Sequence, residues 1–213
     1  MVIKYDDAMD NVVDLEPPRL SARGRRKDPR SIATINRIME VTEQLLLDAD
    51  NEKLSILTIC DAANISRGTF YRYFSSQEEL LDLFTTFMRD KFYKTLIDAV
   101  ASFDDPDEKF DAFIAYFDTY LREGKSRKFL DVAPDYALTF FKRMFDEGIQ
   151  RFKKILEPVL DAWEKRVQGS LDRDLICEML MRHILSEQLV PMTGDRRQFA
   201  NRIRIMLDQV AGK

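Results

Sequence analysis

The sequence predicts an all-α protein. An N-terminal three-helix helix-turn-helix domain is followed by a larger helical domain, about nine helices in all. Three observations carry this. Glycine and proline number only 7 each among 213 residues, so few breakers interrupt the chain. Apolar residues recur at helical spacing through long stretches rich in Leu, Glu, Lys, Arg, Phe and Met. Residues 55–80 read as two very short helices joined by a tight turn, with a long helix starting at once behind them.

Residues 1–27 form an arm that is acidic, then basic. Asp6, Asp7, Asp10, Asp14 and Glu16 stand against Lys4 in residues 1–18, which suit a solvated, disordered tail. Residues 19–30 reverse the balance, with Arg19, Arg23, Arg25, Arg26, Lys27 and Arg30 against Asp28. The net charge of −4 therefore conceals a basic stretch directly ahead of the helix-turn-helix. It is either an electrostatic footprint for a polyanion or a solubilising segment.

The first helix starts with Asp28 as N-cap and Pro29 at its first position, and carries Ile35, Ile38, Val41, Thr42, Leu45 and Leu46 on one face. Ser55 caps a second helix over Ile56 to Ala63, with Ile56, Ile59, Cys60 and Ala63 inward. Asn64 makes the turn, because asparagine tolerates the left-handed conformation. Ser66 caps the third helix. Ile65, Phe70 and Phe74 are expected to pack on the first helix, leaving Arg67, Thr69, Tyr71 and Tyr73 outward. Ser76 and Glu79 form a capping box that opens a fourth helix to about Ala101. Further helices are expected over Pro106–Arg122, Ser126–Val132, Pro134–Val167 (bent at Pro158), Leu171–Leu189 and Asp195–Val210.

Several function classes lose support. No run approaches the roughly 20 apolar residues of a membrane span, and the acidic amino terminus lacks an apolar signal core. A cytoplasmic location is therefore expected. Cys60 and Cys177 lie far apart in no metal-like spacing, which suits small buried hydrophobes. His183, the sole histidine, lies among apolar neighbours and reads as a core or interface residue. There is no nucleophile–base constellation, no phosphate-binding glycine loop and no metal-ligand cluster. Neither an enzyme, a cofactor nor a metal is expected.

The combination of Ile59, Ala63, Ile65, Ser66, Gly68-Thr69, Tyr71, Tyr73-Phe74, Ser76 and Leu80 resembles the TetR family of transcriptional regulators. These residues follow that family's pattern Ile-Ala-x-x-Ala-Gly-Val-Ser, Gly-Thr-x-Tyr-x-Tyr-Phe and a capped Lys-x-x-Leu. Three positions depart from it. Cys60 replaces a common alanine, Asn64 the turn glycine, and Gln77 a lysine that usually touches a phosphate.

The resemblance implies a ligand-responsive regulator, commonly a repressor, that binds double-stranded operator DNA as a homodimer. It implies a DNA-binding domain over residues 28–75 and a ligand-binding and dimerisation domain over 76–213, joined by the helix 76–101. Arg67 would read guanine bidentately, and Gly68 would let the backbone approach DNA. Thr69 and Tyr71 would touch a phosphate or a thymine methyl, with Tyr73 and Gln77 on phosphates and Lys53 and Ser55 adding backbone contacts. Tyr71 and Tyr73 are alternatively half-buried core aromatics.

The aromatic excess of the second domain points to an apolar or aromatic small-molecule effector, around Phe87, Phe113, Tyr116, Phe117, Tyr120, Tyr136 and Phe140. The dimer interface is expected on the last two helices, at Leu175, Met179, Ile184, Phe199, Ile203 and Met206. A helical dimeric interaction protein that has lost strong DNA binding is the alternative, favoured by the missing charge at Gln77.

Overall fold

The computed structural model describes residues 29–47 and 54–190, together with 201, 203 and 205. Nine helices and no strand occur among the described residues: α1 (Pro29–Leu47), α2 (Ile56–Ala63), α3 (Arg67–Tyr73), α4 (Gln77–Ala101), α5 (Pro106–Glu123), α6 (Lys125–Val132), α7 (Pro134–Ile155), α8 (Glu157–Val167) and α9 (Arg173–Leu189). The basic arm, the Asp28 cap, Lys53, Phe199 and Met206 lie outside the described residues. So does most of the expected last helix, of which residues 201, 203 and 205 are helical.

The chain divides into two compact units. The first comprises residues up to Tyr93 with Lys128–Leu138, and the second Lys94–Arg127 with the chain from Thr139 onward. Helix α4 contributes to both.

In the first unit α1 packs on α2, and α2 on α3. Ile35, Ile38, Met39, Val41 and Leu46 are buried along α1. Thr42 is buried with them, its hydroxyl donating to the Ile38 carbonyl at 2.7 Å, so that no polar atom is left bare. Phe70 and Phe74 from the end of the helix-turn-helix complete this core, ring to ring at 5.4 Å. Cys60 is buried as a small apolar side chain, and burial pushes its thiol above the ordinary range.

The second unit is built on α5, which packs on α8 and α9. Asp105 starts α5 by accepting from the backbone N–H of Asp107 (2.9 Å) and Glu108 (3.0 Å), with Pro106 in the first turn. Its inner face supplies Phe110, Phe113 and Phe117. Phe113 stands edge-on to Phe152 at 5.0 Å, and Phe110 edge-on to Trp163 at 5.0 Å. Edge-to-face rings at this spacing add to the apolar burial that closes the unit.

One expected element is corrected. The single helix over Pro134–Val167 is two helices, because Leu156 leaves helical geometry and α8 restarts with Pro158 in its first turn. Proline there lacks only an N–H that the first turn would not have bonded, so it begins a helix rather than bending one.

The turn after α8 is held by charge. Gln168 adopts the left-handed conformation at φ 53°, and Arg173 donates to Asp161 (2.7 Å) and to Glu164. That guanidinium, with the Leu171 N–H, holds the Glu164 carboxyl down to about 2. Cys177 is buried on α9, and burial pushes its thiol up to about 12, leaving it a structural residue.

Candidate nucleic-acid interface

Each helix of residues 55–80 begins on a serine. Ser55 Oγ accepts from the Thr58 N–H at 3.1 Å, while the Ser55 N–H donates back to the Thr58 hydroxyl at 3.0 Å. Threonine thus fills the place that Glu or Gln holds in the usual capping box. Helix α2 ends at Asn64, left-handed at φ 52° and ψ 51°. The Asn64 N–H reaches the Asp61 carbonyl at 3.1 Å, and the Ile65 N–H reaches that of Cys60 at 3.0 Å. Asparagine performs the turn expected of it.

Ser66 then caps α3, accepting from the Thr69 N–H at 3.1 Å. That ties the Thr69 hydroxyl to Ser66 as well, at 3.0 Å. Arg67, Gly68, Tyr71 and Arg72 are exposed, Tyr71 at 54%. No carboxylate pairs with Arg67 among the described residues. A methyl group built on Gly68 would meet nothing nearer than Ser66 Oγ at 3.8 Å. The face of α3 that looks away from Phe70 is thus cationic, aromatic and sterically open.

Two of the expected phosphate ligands already have work inside the protein. The Tyr73 hydroxyl donates to Ser31 Oγ of α1 at 3.4 Å, and the Ser31 hydroxyl, free to turn and donate to the phenolate, holds the phenol below the ordinary range. The Arg72 guanidinium lies 5.0 Å from the Tyr73 ring centre. Gln77 Nε2 donates to the Leu54 carbonyl at 3.0 Å, fastening the start of α4 to the residue before Ser55. Ser76 caps α4 through the Glu79 N–H at 3.2 Å, but Glu79 sends its carboxylate to the backbone N–H and hydroxyl of Ser75. The reciprocal half of the expected box has shifted by one residue.

The expected effector residues divide between the units. Phe87 and Tyr136 belong to the first and are half-buried. Phe113, Tyr116, Phe117, Tyr120 and Phe140 belong to the second. There Phe117 lies between Phe113 (4.9 Å) and Tyr116 (5.7 Å), and burial drives the Tyr116 phenol upward. Of the expected interface residues, Leu175 and Met179 stand one turn apart on α9, 51% and 42% exposed. Ile184 and Ile203 are buried within the chain.

Residues 38–83 match the family model of bacterial regulatory proteins of the TetR family. The chain carries a TetR-family domain. This TetR-family segment spans most of α1, all of α2 and α3 and the start of α4, and it supports a DNA-binding transcriptional regulator. The TetR-type fold extends over most of the chain. The fatty acid degradation regulator FadR from Bacillus halodurans is similar at a TM-score of 0.60 and 14% identity, covering 86% of this chain and 96% of that one. A TetR/AcrR-family regulator from Aquifex aeolicus VF5 follows at 0.51 and 21%, covering 83% and 99%. The TetR-family repressor AlkX from Dietzia sp., implicated in biodegradation of n-alkanes, gives 0.52 and 18%, covering 84% and 96%. These neighbours are regulators and not enzymes. No curated protein matches the sequence. Among the described residues no helix is long and apolar enough to cross a membrane.

Proposed function

We propose that the protein is a homodimeric repressor released from its operator by a small apolar or aromatic effector. Residues 28–75 read DNA, and residues 76–213 hold the effector and the dimer contact. The observation that carries the reading is the open face of α3, where Arg67, with no acid paired to it among the described residues, bare Gly68 and exposed Tyr71 leave a major groove room to approach. In this reading Arg67 bonds a base edge, while Thr69, Tyr71, Tyr73, Gln77, Lys53 and Ser55 line the backbone. Leu175 and Met179 supply apolar surface for a second copy. Phe113, Tyr116, Phe117, Tyr120 and Phe140 of the second unit serve the effector. Repression accords with the description of AlkX as a repressor.

Two substitutions test it. Gly68→Ala adds a methyl group in open space and favours the helix by up to about 1 kcal/mol, so the fold gains or holds its stability. Binding to the DNA upstream of the gene is nevertheless expected to weaken about tenfold, because that methyl group occupies the space the DNA backbone needs. Fluorescence anisotropy beside thermal unfolding separates the two effects, and equal binding by both proteins would refute the assigned pose. Gln77→Lys restores a charge beside the groove. It is expected to steepen the slope of log affinity against log salt by about one, over roughly 50–200 mM.

The second reading, a helical interaction protein without strong DNA binding, draws on the internal use of the Gln77 amide. Salt-independent or undetectable binding to the upstream DNA would favour it over repression.

A further inference from the structure

The buried stripe of α9 runs through Cys177, Leu180, Met181 and Ile184 and ends in Gln188, which is 2% exposed. Neither Oε1 nor Nε2 of that carboxamide has a hydrogen-bond partner among the described residues. Arg127 of α6 reaches the same turn, its Nη2 donating to the Glu187 carbonyl at 3.3 Å. The Arg127 Nε is sealed from solvent with no acceptor, and no carboxylate pairs with the guanidinium among the described residues. Both residues belong to the second unit.

A half-buried guanidinium with its Nε sealed from water and a buried carboxamide, each with bonding capacity unspent, therefore converge on one turn of an apolar helix face. Groups left so are costly to a fold unless something completes them. A guanidinium fork matches a carboxylate in charge and in plane. The carboxamide adds a neutral donor, and Ile184 one turn back offers only apolar contact.

We propose that Arg127 and Gln188 anchor the carboxylate of an otherwise apolar effector, with Arg127 donating from Nε and Gln188 from Nε2. This rests on the reading of the second region as the effector-binding part, and it narrows the effector from apolar compounds at large to apolar carboxylic acids in their ionised form.

Calorimetric titration of the full chain, without DNA, tests it with benzoate and octanoate against benzamide and octanamide as neutral counterparts. At least one carboxylate is expected to bind about tenfold or more tightly than its amide. Arg127→Met is expected to erase that preference. Gln188→Leu is expected to weaken carboxylate binding several-fold, yet raise the melting temperature of the free protein, because an apolar side chain of like size replaces two uncompensated polar atoms. The proposal is overturned if neither carboxylate binds, if acid and amide bind alike, if Arg127→Met keeps the preference, or if Gln188→Leu lowers the melting temperature. Operator binding is measured separately on the same preparation. Its failure would overturn the repressor reading and leave this result standing.

Discussion

Phe70→Ala is expected to destabilise the first unit by about 3–5 kcal/mol, the cost of truncating a fully buried phenylalanine that the surroundings cannot refill. The Phe70 ring is wholly buried, 5.4 Å from Phe74 and 5.6 Å from Tyr71. Helix α3 has seven residues, too few to persist on its own hydrogen bonds, so tertiary anchorage decides whether it exists. Domains hold only about 5–15 kcal/mol in total, which makes the loss a large share of the whole. Urea unfolding followed by circular dichroism measures it. A change under about 1 kcal/mol would mean that α3 is held by something other than this ring.

Arg67→Ala is expected to do the reverse, leaving stability within about 0.5 kcal/mol while weakening specific DNA binding by about 1–3 kcal/mol. The side chain is exposed at the first position of α3 and pairs with no acid among the described residues, so the fold loses nothing with it. A base reader also leaves a signature that a phosphate ligand does not. Removing it relaxes preference at one base pair, whereas removing a phosphate contact weakens all sequences alike. Competition against operators mutated one position at a time distinguishes these. A uniform loss would move Arg67 from the base edge to the backbone.

Local signals were the readable ones. Ser55, Ser66 and Asp105 each accept the backbone N–H groups their helices present, and Asn64 takes the left-handed turn, because caps and turns depend on residues within a few positions. The core stripes of α1 and α2 followed from periodicity for the same reason. What was not legible depends on distance along the chain. Gln77 bonds a backbone carbonyl 23 residues away, and a carbonyl has no letter in the sequence. Arg127 meets α9 across 60 residues. Leu80 and Leu81 are both buried although they are neighbours, so α4 is covered over a wider arc than one stripe. Pro158 illustrates a choice between two permitted roles, since the same ring can kink a helix or open one.

Trp163 is the chain's sole tryptophan, buried beside Phe110 in the second unit. Its emission therefore watches that unit and is blind to the helix-turn-helix. Far-ultraviolet ellipticity sums over every helix. A protein whose two halves melt together will give coincident curves by both methods, and one whose halves melt apart will not. With Phe70→Ala, an ellipticity loss at low urea ahead of any red shift would mark damage to the first unit and an intact second unit. The native chain thus carries its own two-channel thermometer, without a dye or a tag.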